Sequence, residues 1–268
     1  MLRSLLKRFT NRSPHQGRPM VEALENRQLL SAAPTATLLI PAYFYPKPSG
    51  DWDRMAIAAK SVPITAILNP VSGLGASADP VYAAAVDKLE SNGGKVIGYV
   101  HTSYGKRSLA TVEAQVLAYH SFYHLDGIFV DEMATDAADI SYYSSLYSFI
   151  KNVDPSYEVI GNPGGKTIET YLTAPTADVL VDYEDNQGRG YARKLKPSWV
   201  SNYTAQHFGN IVGNAVRQTM LADLRRARER NVGYVYMTDQ NLNNFRTAYD
   251  RLPRYWNQEV AAIEAENG

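Results

Sequence analysis

The chain of 268 residues contains no cysteine, which removes disulfides, thiolate nucleophiles and cysteine metal sites. Its 5 histidines are scattered and show no metal-ligand spacing, so no metal and no cofactor is expected. Net charge is also missing. Lys and Arg together number 27, as do Asp and Glu, and this balance does not suggest a nucleic-acid partner, which would need a clustered basic surface. No stretch reaches the roughly 18 consecutive apolar residues of a transmembrane helix. No Gly-x-Gly-x-x-Gly follows a strand-like run where a dinucleotide fold would need it. Internal repeats are absent, as is any second block of different composition. Tyrosine, by contrast, is abundant: 19 residues against 7 Phe and 3 Trp. A tyrosine offers a flat apolar face and a hydroxyl, which suits sugar binding, although packing at the rims of a core would explain many of them.

Residues 1–33 differ from the remainder. Arg3, Lys7, Arg8, Arg12 and Arg18 fall in a stretch without acids, and Ser31, Ala32 and Ala33 offer a peptidase small side chains. A continuous apolar region of the ordinary secretory type is missing. The segment from Leu24 to Ser31 resembles an export leader of the LExRxLLS type found on secreted and surface proteins of certain bacteria. Residues 1–33 are therefore read as an export leader or disordered segment, and the protein as secreted or at the cell surface. The competing reading is a short amphipathic helix.

Residues 34–268 read as one domain. Strand-like runs cover residues 38–43, 64–68, 96–100, 126–130, 159–161, 179–183, 208–212 and 232–237. Helical patterns lie between them, at 52–59, 80–92, 109–122, 140–153, 168–172, 220–230 and 255–264. Asp79 before Pro80 and Ser108 before Leu109 are expected N-caps. Residues 186–206 look irregular, and the last few residues are expected to fray. Strands alternating with helices argue for a parallel sheet with helical crossovers. Eight such strands in a chain of this length favour a (β/α)8 TIM-like barrel over a doubly wound sheet.

The strongest local signal is Ile128, Phe129 and Val130 running into Asp131 and Glu132. An apolar run without a polar break suits a strand buried on both faces, and an acid pair at its carboxyl end is where a barrel delivers chemistry. Asp131 capping the next helix, with Glu132 in its first turn, is the plainer alternative. Other polar residues follow the other strands. Tyr43 and Tyr45 follow the first, Asn69 the second, His101 and Tyr104 the third, Asn162 the fifth, Glu184 and Asp185 the sixth, and Asp239 the eighth. All would gather on one face. Asp131 or Glu132 together with Glu184 supplies the two carboxyl groups that glycoside hydrolysis needs, one to protonate the leaving oxygen and one to attack carbon or activate water. Adjacent strand residues face opposite ways, so which of Asp131 and Glu132 points inward stays open. An oxygen-rich metal site of Asp131, Glu132, Asp185 and Asp239 is a further alternative, without a recognisable ligand motif.

Several stretches resemble the spherulation-specific family 4 (spherulin-4-like) proteins, a glycoside hydrolase family with a (β/α)8 barrel. They are residues 40–46 (IPAYFYP), 68–75 (LNPVSGLG), 98–105 (GYVHTSYG), 127–132 (GIFVDE), 161–164 (GNPG), 182–184 (DYE) and 233–239 (GYVYMTD). The resemblance implies an endo-acting enzyme on secreted polysaccharide containing α-1,4-linked N-acetylgalactosamine or galactosamine; a monomer without a cofactor is expected. It places the family's acid pair on Asp131 and Glu132 and its later glutamate on Glu184. Asp131 is assigned as nucleophile of a retaining mechanism, Glu184 as acid/base and Glu132 as an assisting acid, with the reverse order of the pair kept open. Tyr43, Tyr45, Asn69, His101, Tyr104, Asn162 and Asp239 are the expected substrate contacts. A non-catalytic carbohydrate-binding or cell-surface protein on the same scaffold is the alternative.

Overall fold

In the computed structural model, which describes residues 35–268 other than residue 245, eight parallel strands close into a barrel in sequence order. They are β1 (Thr37–Ala42), β2 (Ile64–Leu68), β3 (Lys95–His101), β4 (Gly127–Asp131), β5 (Glu158–Gly161), β6 (Val179–Asn186), β7 (Phe208–Gly213) and β8 (Tyr234–Met237). The helices are α1 (Asp51–Ala58), α2 (Pro80–Glu90), α3 (Leu109–Phe122), α4 (Ile140–Val153), α5 (Thr170–Thr173), α6 (Arg189–Arg193), α7 (Arg217–Glu229) and α8 (Trp256–Asn267). This is a (β/α)8 barrel. The leader expected over residues 1–33 lies outside the described residues. Among the described residues no helix is long and apolar enough to cross a membrane.

Local chemistry sets the helix starts. Asp79 accepts the Val81 N–H at 2.8 Å with Pro80 at the first helical position of α2, and Ser108 Oγ accepts the Thr111 N–H at the start of α3. Each such cap is worth about 1 kcal/mol. Both faces of the sheet are buried, so the strands read as apolar runs: every residue of β2, β7 and β8 is buried.

The register decides which residues look into the barrel. Partners in register share a face, and faces alternate along each strand. Pro41 pairs with Ile67, Ile67 with Ile97, and Ile97 with Gly127. Gly127 pairs with Glu158, Ile160 with Val179, Val181 with Gly209, Gly209 with Tyr234, and Tyr234 with Thr37. That ring is one inward-facing set. Counting on in twos toward the carboxyl ends brings Tyr43, Asn69, Tyr99, His101, Asp131 and Asn162 onto the inward face.

Three sequence expectations need correction. Residues 186–206 are not irregular throughout: they carry α6 and the 3-10 turns Ser198–Asn202 and Ala205–His207. β6 does not stop before Glu184; it continues to Asn186 because Glu184 and Asp185 pair with Ile211 and Val212 of β7. Nor do the last residues fray at once. Asn267 closes α8 and ties it to the segment before β1, Oδ1 accepting the Ala36 N–H at 2.7 Å and Nδ2 donating to the Ala36 carbonyl at 3.0 Å.

One buried acid sits away from the barrel mouth. Glu259 of α8 is fully buried. Its Oε1 accepts the Met237 N–H at 2.8 Å, while Oε2 has no hydrogen-bond partner among the described residues. Burial, then the charge of Asp239, pushes its pKa up to about 8.

Candidate active site

The carboxyl ends of the strands enclose a cleft of about 550 Å³ lined by Asp131, Glu132, Asn162, Glu184, Tyr43 and Tyr99, among others. Asp131 closes β4 and is not a helix cap; the next helical turn, a 3-10 turn at Ala137–Asp139, leads into the helix at Ile140. Asp131 Oδ2 accepts the Tyr99 hydroxyl at 2.7 Å, and its Oδ1 accepts Asn162 Nδ2 at 2.7 Å. The same Asn162 nitrogen donates to Glu184 Oε2. Glu184 Oε1 accepts the Tyr249 hydroxyl at 2.6 Å. One amide thus touches both carboxylates, and neither contact exceeds 2.7 Å. The two oxygens can therefore be no farther apart than twice that distance.

Electrostatics separates the two acids. Glu184 is raised to about 7, by burial first and then by the charge of Asp131, against the lowering effect of hydrogen bonds from Tyr249 and Asn162. Asp131 is raised by burial too, but hydrogen bonds from Tyr99, the Glu132 backbone and Asn162 favour its charged form. More donors to one carboxylate than to its neighbour keep the first ionised while the second holds the shared proton. Tyr99, Tyr43 and Tyr249 are all raised by burial and by these acids, and remain hydroxyl donors.

Glu132 resolves the question of which member of the pair faces in: both do. Its φ is +50°, in the left-handed region. That turn interrupts the strand alternation and brings the second carboxylate round to the cleft. A non-glycine residue held there costs about 1 kcal/mol or more and persists only when its surroundings fix it. Here the Glu132 carbonyl accepts from Thr102 Oγ1 at 2.8 Å and from the Tyr104 N–H at 2.7 Å. His101 Nδ1 lies 3.3 Å from Glu132 Oε2.

Of the expected substrate contacts, Tyr43, Asn69, Tyr104 and Asn162 line the cleft. His101 reaches it through Glu132. Tyr104 is 58% exposed and follows Ser103 in a left-handed turn, φ +48° and +58°. Asn69 also braces its own loop, accepting the Gly73 N–H. Tyr45 and Asp239 are not brought there. Tyr45 packs edge-on against Tyr82 with centroids 5.3 Å apart, and its hydroxyl reaches toward Asp79 at the start of α2. Asp239 is gripped by both nitrogens of the Arg251 fork, at 2.7 and 3.2 Å, with Arg254 at 3.4 Å. That fork braces the loop between β8 and α8, and keeps Asp239 away from the acid pair. Among the described residues no group of three or more His, Asp or Glu side chains could hold a metal ion.

Two site residues escaped the sequence reading. Tyr99 had a signal, since it stands two residues before His101 and must share its face. Tyr249 had none. It comes from the β8–α8 loop, with φ +62°, and reaches the cleft through a fold of that loop. There Gln240 Nε2 donates to the Thr247 carbonyl at 2.6 Å and to Asp250, and the Tyr249 ring packs edge-on against Tyr43 at 5.4 Å.

Known proteins share both sequence and architecture with this chain. Spherulin-4 of Physarum polycephalum is 35% identical over 248 residues, spanning 86% of this chain and 70% of that protein. The crystal structure of Aspergillus clavatus Sph3 in complex with GalNAc superposes with a TM-score of 0.74 at 22% identity, covering 87% of this chain and 99% of that one. An α-L-fucosidase isoenzyme 2 from Paenibacillus thiaminolyticus superposes at 0.56 and 12% identity, over 87% of this chain and 49% of its own. The family model described as spherulation-specific family 4 matches residues 37–263, and with that span the chain belongs to spherulation-specific family 4.

Proposed function

We propose that the protein is a glycoside hydrolase that cuts within polysaccharide containing α-1,4-linked N-acetylgalactosamine or galactosamine, by a retaining two-carboxylate mechanism. The observation that carries this reading is the single Asn162 amide bridging Asp131 and Glu184. Retention needs carboxyl groups about 5–5.5 Å apart, whereas inversion leaves about 6.5–9.5 Å for a water. At no more than twice 2.7 Å apart, the bridged oxygens fall short of the second range. The complex of Sph3 with GalNAc supports the choice of amino sugar.

The roles follow from the electrostatics. Glu184, protonated up to about pH 7, gives its proton to the glycosidic oxygen as the bond to the anomeric carbon breaks. Asp131, ionised and oriented by Tyr99 and Asn162, bonds to that carbon. Glu184, now a carboxylate, takes a proton from water. The water oxygen attacks the anomeric carbon and releases Asp131. Glu132 assists at the rim beside His101, and the exposed Tyr104 gives a sugar ring a face to stack on. The segment 1–33, read as an export leader, makes the protein secreted or surface-held, where such polysaccharide lies. It acts as a monomer.

The test is incubation with an α-1,4-linked galactosamine or N-acetylgalactosamine oligomer, reading reducing ends and, by NMR, the first anomer formed. Reducing ends with the α-anomer first are expected. The β-anomer first would overturn retention, and no release from any such oligomer would overturn the hydrolase reading.

A further inference from the structure

Glu184 faces the cleft only because β6 carries one residue more than its neighbour. Val181 pairs with Gly209 and Tyr183 with Asn210, so Asp182 has no partner of its own in β7. Val181 belongs to the inward set. In a regular strand Tyr183 would then be the next inward residue and Glu184 would point out. The bulge resets the count. Glu184 pairs with Ile211, two residues beyond inward Gly209. Two registers of the same strand therefore compete, and a slip of one residue exchanges the faces of everything beyond it. Bulges beside active sites re-aim side chains in this way.

A polar cluster on the outer flank selects the bulged register. Asp182 Oδ1 accepts Asn210 Nδ2 at 2.6 Å and pairs with Lys194 Nζ at 2.5 Å. The two side chains are only 13% and 7% exposed, so neither charge has water as an adequate substitute for the other. Lys194 stands at the end of α6. The same helix supplies Tyr191, whose ring packs against Tyr183 at 4.8 Å and whose hydroxyl donates to Asn210 Oδ1 at 3.3 Å. The Lys194 ammonium also lies 5.6 Å from the Tyr183 ring centre, and the Tyr183 hydroxyl donates to the Asn186 carbonyl at 3.0 Å. Tyr183 is thus held outside, where it must be if Glu184 is inside.

We infer that Asp182 and Lys194 are positioning residues whose ion pair holds the β6 bulge in the register that turns Glu184 into the cleft. The region around α6 then serves the reaction by anchoring a strand. The role of Glu184 as acid/base rests on the function proposed above; the register does not.

Lys194→Met tests it, in the whole chain labelled with ¹³C at glutamate carboxyls, with the Glu184 signal assigned from Glu184→Gln. In the wild type Glu184 should titrate near 7. In Lys194→Met it should fall toward the ordinary 4.5 as the side chain leaves its buried place beside Asp131. Loss of the Lys194 charge without movement would not lower it. On amino-sugar oligomer, kcat should fall about 100-fold, the lower end of a general acid's contribution, with KM little changed. Deleting Asp182 in the Lys194→Met background removes both the extra residue and the orphaned charge. The strand becomes regular with Glu184 still opposite Ile211, so the raised titration and most of kcat should return. A Glu184 that stays raised in Lys194→Met, or a deletion that restores nothing, would overturn the inference. If Lys194→Met does not fold, the deletion variant decides alone: a raised Glu184 supports the register, an ordinary one sinks it. A wild type inactive on every amino-sugar oligomer counts against the proposed function, while the titrations still decide the register.

Discussion

Asn162 joins two carboxylates that the donors around them make unequal, Asp131 having the Glu132 backbone N–H besides. Its one amide nitrogen serves both, and the remaining donors differ: Tyr99 for Asp131, Tyr249 for Glu184. Asp131→Asn and Glu184→Gln keep shape and lose the chemistry, so each should lower turnover by about 10²–10⁴-fold. A melting curve beside the assay should show no collapse, because each amide keeps the shape and hydrogen-bonding capacity of the carboxyl group it replaces. The pH–rate profile should be a bell. Its acid limb reports Asp131 losing its charge, and its basic limb reports Glu184 losing its proton near pH 7. Tyr249→Phe removes a hydrogen bond that favours ionised Glu184, so the basic limb should move up by on the order of one unit. A limb that moves down, or stays put, would show that Tyr249 does not act on Glu184.

At the level of strands and loops, the barrel delivers residues by parity and the loops deliver them by local turns. Tyr104, on a left-handed turn, overhangs the cleft; Tyr45, on the loop after β1, packs against α2's side. Tyr104→Ala should therefore raise KM for oligomer several-fold, through loss of a stacking contact worth about 1 kcal/mol. Tyr45→Ala should leave KM alone. Steady-state kinetics on both variants distinguishes the two positions. The same contrast explains what could be read from the sequence. Strand positions such as Asn69 and Asn162 were legible because the carboxyl-end rule finds them once the strands are found, whereas the choice between Asp131 and Glu132 stayed open. Glu184 was found for the wrong geometric reason, as a residue after a strand, when it lies within one, inward by virtue of the Asp182 bulge. Tyr249 was not legible, since its place depends on side-chain hydrogen bonds within one loop, which have no period; the outward place of Asp239 follows instead from the alternation that turns Tyr234 inward, once the register is known. Glu132 defied alternation because a single left-handed φ undoes it.

For the molecule as a whole, the acids that titrate high in the folded state make stability depend on pH. Glu184 and Glu259 are both raised above 4.5, to about 7 and about 8. A raised folded-state pKa means the folded chain binds the proton more tightly. The resulting stability is complete below the unfolded value near 4.5 and is lost as pH rises through the folded values. Melting temperature should thus decline from about pH 5 upward, with the part lost above pH 7 belonging to Glu259. Glu259→Gln should flatten that upper part; calorimetry at pH 5, 7 and 9 measures it, and an unchanged slope above pH 7 would refute the assignment. Glu132 bears on stability differently. Its left-handed backbone is one that glycine adopts freely, so Glu132→Gly should melt higher than Glu132→Ala. A directed-evolution campaign that ranked variants of this chain by heat resistance alone would favour glycine over alanine at that position, and with either would discard one of the three acids at the mouth of the barrel.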